Sequence, residues 1–185
     1  MNRNAFQSMP VVGVEDGSFL KGITRRALLV AVLFKDLQIK DVKFKKILVD
    51  GFDATQKLAE ILGKWKFEVV FLAGVSFAGF NLIDPIVIHE KFGKPVVVVT
   101  KTKPNTKAIK RALQKHFKDW KMRLEVFEKL DTFHKHIILI GKSQVYVKII
   151  GIDAKRAYNL IQALSFLGKI PEPVRVARLI ARGLS

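Results

Sequence analysis

Carboxylates are scarce in this chain, 16 Asp and Glu against 33 Lys and Arg, yet several fall where structural elements end. Glu15 and Asp16 close a short apolar run and precede Gly17. Asp50 precedes Gly51, Asp53 follows, and Asp84 stands before Pro85. Carboxylates at strand ends can converge on one edge of a sheet and hold Mg²⁺ with several of its waters retained. Two such ions about 4 Å apart clamp the attacking and leaving oxygens of a phosphodiester. Glu15, Asp16, Asp50 and Asp84 are therefore the candidate metal ligands. Lys101, just past the valine run 96–99, reaches the same edge and can stabilise a phosphate. Each acid also has an ordinary use: Asp16-Gly17 and Asp50-Gly51 are turn pairs, and Asp53 and Asp84 stand where helix caps stand.

Around Asp84 the segment Leu72-Ala73-Gly74-Val75-Ser76-Phe77-Ala78-Gly79-Phe80-Asn81-Leu82-Ile83-Asp84-Pro85 packs two glycines and an amide among apolar residues. Gly74 and Gly79 let backbone approach backbone or a ligand where a side chain would collide. Asn81 needs hydrogen-bond partners if buried. These three are candidates for supporting the site.

The formal charge is +17 and the pI about 10.2. An enzyme for small neutral substrates does not require that excess, whereas a phosphate-rich partner exploits it through counterion release and steering. No cysteine is present, which excludes disulfides, Cys-based zinc and a thiol nucleophile together. Residues 1–10 have too little apolar length for a signal peptide, and no apolar stretch reaches the ~20 residues that span a bilayer. The expectation is a cytoplasmic protein with nucleic acid as partner and no membrane. The 185 residues fit one domain, 1–185, with no visible linker or repeat.

The elements that would position these groups are legible from periodicity. Strands are expected over 11–15, 26–34 and 42–49, and a helix over 54–62 that stops at Gly63. A strand over 68–72 follows, then a short helix from Pro85 to Phe92, and the buried strand 95–100. Asn105 to His116 is an amphipathic helix whose basic face carries Lys107, Lys110, Arg111 and Lys115, candidate phosphate contacts. Helix 122–130, a hairpin of 136–140 with 145–150 about residues 141–144, a helix from Asp153 to Leu167 and a last helix from Pro171 complete the chain. In that last helix Val174, Ala177 and Ile180 are read as inward, and Arg175, Arg178 and Arg182 as outward.

Three antiparallel strands followed by strands delivered through helical crossovers make an α/β fold. Its sheet is mixed, with helices on both faces and a C-terminal β-hairpin plus helices. That is the ribonuclease H-like order.

Four segments resemble an archaeal family, the domain-of-unknown-function family ninety-nine, usually grouped with endonuclease V. They are Gly13-Val14-Glu15-Asp16-Gly17-Ser18-Phe19, Asp50-Gly51-Phe52-Asp53-Ala54-Thr55, residues 74–84, and Pro171-Glu172-Pro173-Val174-Arg175-Val176-Ala177. The resemblance implies a ribonuclease H-like fold. It also implies a relationship to enzymes that cut a phosphodiester near deaminated purines with Mg²⁺. Glu15 falls at the aspartate of their first-strand Gly-Val-Asp motif, and Lys101-Thr102 matches their fifth-strand lysine before a small polar residue. Their fourth-strand Asp-Gly reads Ala73-Gly74 here, and Ala73 cannot ligate a metal. Two functions follow as expectations: a Mg²⁺-dependent endonuclease V-like phosphodiesterase acting on DNA or RNA, or a non-catalytic nucleic-acid-binding module with a degraded metal site.

Overall fold

Two continuous apolar runs and a tight turn build the first three strands. In the computed structural model, which describes residues 6–140 and 143–185, strand β1 spans Val11–Asp16, β2 Arg26–Lys35 and β3 Gln38–Leu48. All three are antiparallel neighbours, with β1 paired to β2 and β2 to β3. Strand β3 begins four residues before the expected position. Asp36 and Leu37 both adopt positive φ, 54° and 58°, and make a two-residue turn that lets the strands pair from its first residue. Leucine is not a turn residue by type, so composition hides that turn.

Helix α1, Ala54–Leu62, then crosses to β4, Val69–Leu72, which lies parallel to β1. Two short strands that periodicity does not reveal, β5 (Ser76–Phe77) and β6 (Asn81–Leu82), pair as a small hairpin. Helix α2, Pro85–Phe92, leads to β7, Val96–Thr100, parallel to β4. Helices α3 (Thr106–His116) and α4 (Trp120–Asp131) follow, then β8 (Lys135–Ile140) and β9 (Ser143–Ile150), an antiparallel pair docked on β7 through β9. Of the expected 141–144 turn, Gly141 and Lys142 lie outside the described residues. Helix α5, Ala154–Leu164, ends three residues short of Leu167, and α6 runs Glu172–Gly183.

The sheet order is β3-β2-β1-β4-β7-β9-β8, the mixed sheet expected from the order of elements. One face is packed by Leu58 and Leu62 of α1, Ile88 of α2, Leu113 of α3 and Phe127 of α4. The other is covered by Leu160, Ile161 and Leu164 of α5 and Val174, Ala177 and Ala181 of α6. Interior strand β1 is buried on both faces from Val11 to Val14, which explains its continuous apolar run. Its carboxyl end sits beside those of β4 and β7, with Glu15 and Asp16 next to Ala73-Gly74 and Lys101 following Thr100. Ligands of open α/β sheets bind beyond such ends. No helix among the described residues is long and apolar enough to cross a membrane.

Candidate active site

Glu15 and Asp16 are consecutive in a strand, so their side chains leave opposite faces. Glu15 turns toward α6, where Arg178 Nε lies 3.9 Å from its Oε2. Asp16 turns toward the β5–β6 hairpin, and the Ala78 amide donates to its Oδ2 at 2.5 Å. Because β1 ends here, both carboxylates still open into one cleft of about 310 Å³, lined also by Gly17, Ser18, Phe19, Arg178 and Arg182. The Glu15 side chain is 14% exposed. Burial raises its pKa to about 8, the neighbouring Asp16 carboxylate adds to the rise by charge and hydrogen bonding, and Arg178 opposes it. At neutral pH Glu15 therefore retains its proton unless a cation displaces it.

Arg178 and Arg182 stand four residues apart on α6, so they share one helix face. That face borders the open cleft, with Arg182 exposed, as expected of an outward position, and Arg178 half-buried. The C-terminus closes the same end: the Ser185 hydroxyl accepts from the Ser18 amide and donates to the Ala181 carbonyl, both at 2.8 Å. Lys101 belongs to the same electrostatic neighbourhood. Its pKa is lowered first by desolvation and then by Arg178, Lys169 and Arg182, while Glu15 pulls it up. Two carboxylates ringed by cations can hold a hard cation and an anionic oxygen side by side.

The expected four-carboxylate cluster is not formed. Asp84 caps α2, accepting from the Ile86 and Val87 amides at 2.9 and 3.3 Å. Asp50, at φ 56°, accepts from the Phe80 amide at 2.8 Å, and its own amide donates to the Ala78 carbonyl. Among the described residues no three His, Asp or Glu side chains come together as a metal-holding group. The residues present thus do not fit two ions held by four acids. The Glu15–Asp16 pair fits one divalent cation, because two carboxylates confined in a polar cleft, one of them pushed up toward pKa 8, are the donor set such an ion stabilises.

The motifs around Asp50 and Asn81 instead form a clasp. Asn81 is fully buried. Its Oδ1 accepts from the Ala54 amide at 2.9 Å, and its Nδ2 donates to the Leu48 carbonyl at 2.8 Å and to Asp53 Oδ1 at 2.6 Å. Asp53, expected as a side-chain cap, makes no capping bond; Asn81, 28 residues later, caps α1 in its place. Thr55 donates to the Leu82 carbonyl and accepts from the Asp84 amide. Gly79 has φ 84°, and a Cβ there would meet Asp50 Oδ1 at 2.2 Å, so only glycine fits. Buried Arg123 fastens the clasp from outside, donating to the Gly51 and Phe80 carbonyls at 2.8 and 2.6 Å while lying over the Phe117 ring. Asn81→Ala is expected to destabilise the protein by about 2 kcal/mol, since it orphans the buried Ala54 amide and removes the amide donor shared by the Leu48 carbonyl and Asp53. Urea denaturation measures it, and a loss below roughly 1 kcal/mol would contradict the clasp.

Gly74, at φ 109°, lines a separate cavity of about 260 Å³ with Ala73, Thr100, Thr102 and Tyr146. Lys107, Lys110, Arg111 and Lys115 are exposed along α3. Phe117 and Trp120, at the α3–α4 junction, pack against the core, which suits anchors better than stacking platforms.

The sequence profile of the family described as Endonuclease dU matches residues 7–185. A UPF0215 protein of Thermococcus gammatolerans is 35% identical over 188 residues, covering 98% of this chain and 94% of that protein. A crystal structure of a protein of unknown function from Archaeoglobus fulgidus superposes with a TM-score of 0.82 at 27% identity, over 95% of this chain and 98% of that one. Endonuclease V of Ciona intestinalis, solved with a 24mer DNA containing an inosine followed by a ribo-adenosine, superposes with a TM-score of 0.64 at 12% identity, over 95% of this chain and 85% of that one. At that identity the likeness is one of fold.

Proposed function

The chain belongs to the family described as Endonuclease dU, and from that premise we propose that it cuts a phosphodiester of nucleic acid at the Glu15–Asp16 cleft. The observation that carries this reading is the pairing of two buried-end carboxylates with Arg178 and Arg182 around one opening. Glu15 and Asp16 would hold a single Mg²⁺, which when bound supplies charge neutralisation at the scissile phosphate. Arg178 and Arg182 offer forked donors matched to phosphate oxygens, and Lys101 adds a point charge beside them. Asp16 is held in orientation by the Ala78 amide, and the Asp50 and Arg123 bonds fix the loop that carries that amide. Lys107, Lys110, Arg111 and Lys115 would track the backbone away from the cleft. The family's name and the inosine-bearing DNA held by the Ciona enzyme make uracil- and inosine-containing DNA and RNA the substrates to try first.

Cleavage of such strands that requires Mg²⁺ is the expected result, and intact strands at high protein concentration would remove the hydrolytic reading. A second measurement needs no substrate. Calorimetric titration of Mg²⁺ at pH 7 in two buffers of different ionisation enthalpy should register proton release, because Glu15 with a pKa near 8 must lose its proton to ligate. Binding without cleavage is a second reading. Ala73 at a position where the endonuclease V resemblance calls for a carboxylate favours it. In that case affinity for generic nucleic acid falls with salt, at roughly one unit of log–log slope per phosphate contacted, while no strand is cut.

A further inference from the structure

Edge strand β3 is covered on one face only. Helix α1 packs against it on one side of the sheet, while on the other side α6 lies over β1 and β2 and does not extend across β3. Pairing shows which residues share that open side. Directly opposed residues of antiparallel neighbours carry their side chains on the same face, so Glu15, Val30 and Phe44 form one row across β1, β2 and β3. Lys46 stands opposite Leu28, and Leu48 opposite Arg26, in the next two rows toward the cleft. Val30 is fully buried, whereas Phe44 is 56% exposed and Leu48 41%. Edge strands are ordinarily guarded by charge, because an apolar edge invites pairing with another chain. Lys46 suits that use, and Phe44 works against it.

The charge around the ring indicates what it meets. Lys43 and Lys45, on the α1 side, are tied to Asp41 and Glu60 at 2.6 and 2.9 Å. Arg26 and Lys46, both exposed on the open side, form no ion pair among the described residues. A second copy of this chain, with net charge +17, would set the same unpaired cations against each other. A phosphate backbone is drawn to them instead. Successive rows lie about 6.8 Å apart along the strand, close to the separation of neighbouring phosphates in an extended single strand. Every base also has an apolar face that stacks on an aromatic ring. In its row Phe44 lies two strand spacings, about 9.6 Å, from Glu15, with α6 over β2 between them. A strand leaving the cleft therefore rounds the C-terminal turn of α6, which Ser185 pins to the Ser18 amide, and meets Arg26 and Lys46 before Phe44.

We propose that the open face of β3 is a second nucleic-acid site, outside the cleft, where Phe44 stacks on one base of a single strand while Arg26 and Lys46 hold its phosphates. This rests on the nucleic-acid reading given above and adds to it the form of the partner. A base inside a duplex has both faces covered by its neighbours, and uncovering one costs unstacking energy. An unpaired strand offers its bases without that cost, so the site selects single-stranded or locally melted nucleic acid. It anchors the strand a few nucleotides away from the phosphodiester in the cleft, on the far side of α6.

The test uses the full chain and fluorescence anisotropy of two labelled strands of equal length, an oligothymidylate and an abasic strand, in Ca²⁺ rather than Mg²⁺ to avoid turnover. The wild-type protein should hold the oligothymidylate about tenfold more tightly than the abasic strand. Phe44→Ser, a surface change, should lose that preference and keep the salt slope, while Phe44→Trp should retain it. Arg26→Ala with Lys46→Ala should weaken binding to both strands alike, leave the preference, and lower the log–log salt slope by about 1.4. A Phe44→Ser protein that discriminates between the strands as wild type does would overturn the stacking site. Wild-type binding that depends on salt but ignores the bases would overturn it too, leaving the nucleic-acid reading intact. Absence of any salt-dependent binding by the wild type would remove that reading and the second site with it. Sedimentation of the free protein settles the remaining occupant: a wild-type dimer that Phe44→Ser dissolves would assign this face to a second copy and overturn the proposal.

Discussion

Glu15→Gln is expected to abolish Mg²⁺-dependent cleavage, on the order of a hundredfold or more, and at the same time to stabilise the protein at pH 8. The two effects share one cause. The Glu15 carboxyl titrates near 8 in the folded protein against 4.5 in an ordinary setting, mainly through burial and then through Asp16. Below pH 4.5 both folded and unfolded chains hold the proton, and the residue carries no penalty. As pH rises from 4.5 toward 8 the unfolded chain releases its proton while the folded one keeps it. Folding stability therefore falls across that window, and above 8 the penalty is complete. With a side chain only 14% exposed, solvent screens little of it. The loss between pH 5 and 8.5 should be on the order of 3 kcal/mol. Glutamine is close in shape and has no charge to desolvate. Denaturant midpoints at the two pH values check this: wild type should weaken with pH and the variant should not. Parallel pH dependence in both proteins would contradict the assignment. Saturating Mg²⁺ should flatten the wild-type curve as well, since a bound cation compensates the pair. A residue that destabilises its own fold, next to a second acid at the end of an interior strand, fits a working site better than a structural one.

Most of the sheet was legible because its signals are local. The valine run of β7, the glycine stop after α1, and Asp84-Pro85 opening α2 each act within a few residues of themselves. What escaped was whatever depends on a distant partner. Asn81 caps a helix 27 residues upstream, so neither its cap nor the loss of one at Asp53 can be read from spacing. The β5–β6 hairpin is only two residues long on each side, too short for any periodicity. The acids divided the same way. Asp84 and Asp50 lie at element ends, as strand-end ligands do, but each is engaged by backbone amides of its own or an adjoining loop. Only Glu15 and Asp16 among the four face the cleft. Arg178 and Arg182 were legible as outward residues of an amphipathic helix. That they border the cleft depends on how α6 lies across β1, and the single-helix pattern does not contain that.

The contact that sets this orientation also underlies the largest expected loss of stability. Gly13→Ala should destabilise the protein by about 4 kcal/mol or more. A Cβ at Gly13 would stand 2.1 Å from the Pro173 carbonyl carbon, 2.2 Å from its oxygen and 2.5 Å from the Val174 nitrogen. These are backbone atoms, so no rotamer change relieves them. The first turn of α6 must lift from β1 by about 1 Å, and a close-packed interior does not absorb that without losing contacts along its length. Val174, Ala177 and Ala181, all buried, pack in that interface. Gly22→Ala is the control, since its Cβ meets nothing within 4 Å and costs only backbone strain, about 1 kcal/mol. Thermal or urea midpoints for the two variants should differ accordingly, and a Gly13→Ala protein as stable as Gly22→Ala would show that α6 does not seat as described. The consequence reaches the cleft. Arg178 and Arg182 ride on α6 while Glu15 and Asp16 ride on β1, so lifting one element from the other separates the cations from the carboxylates. Any Gly13→Ala protein that folds at low temperature should therefore bind nucleic acid more weakly and show a Glu15 carboxyl moved back toward its ordinary range, as water enters the widened cleft.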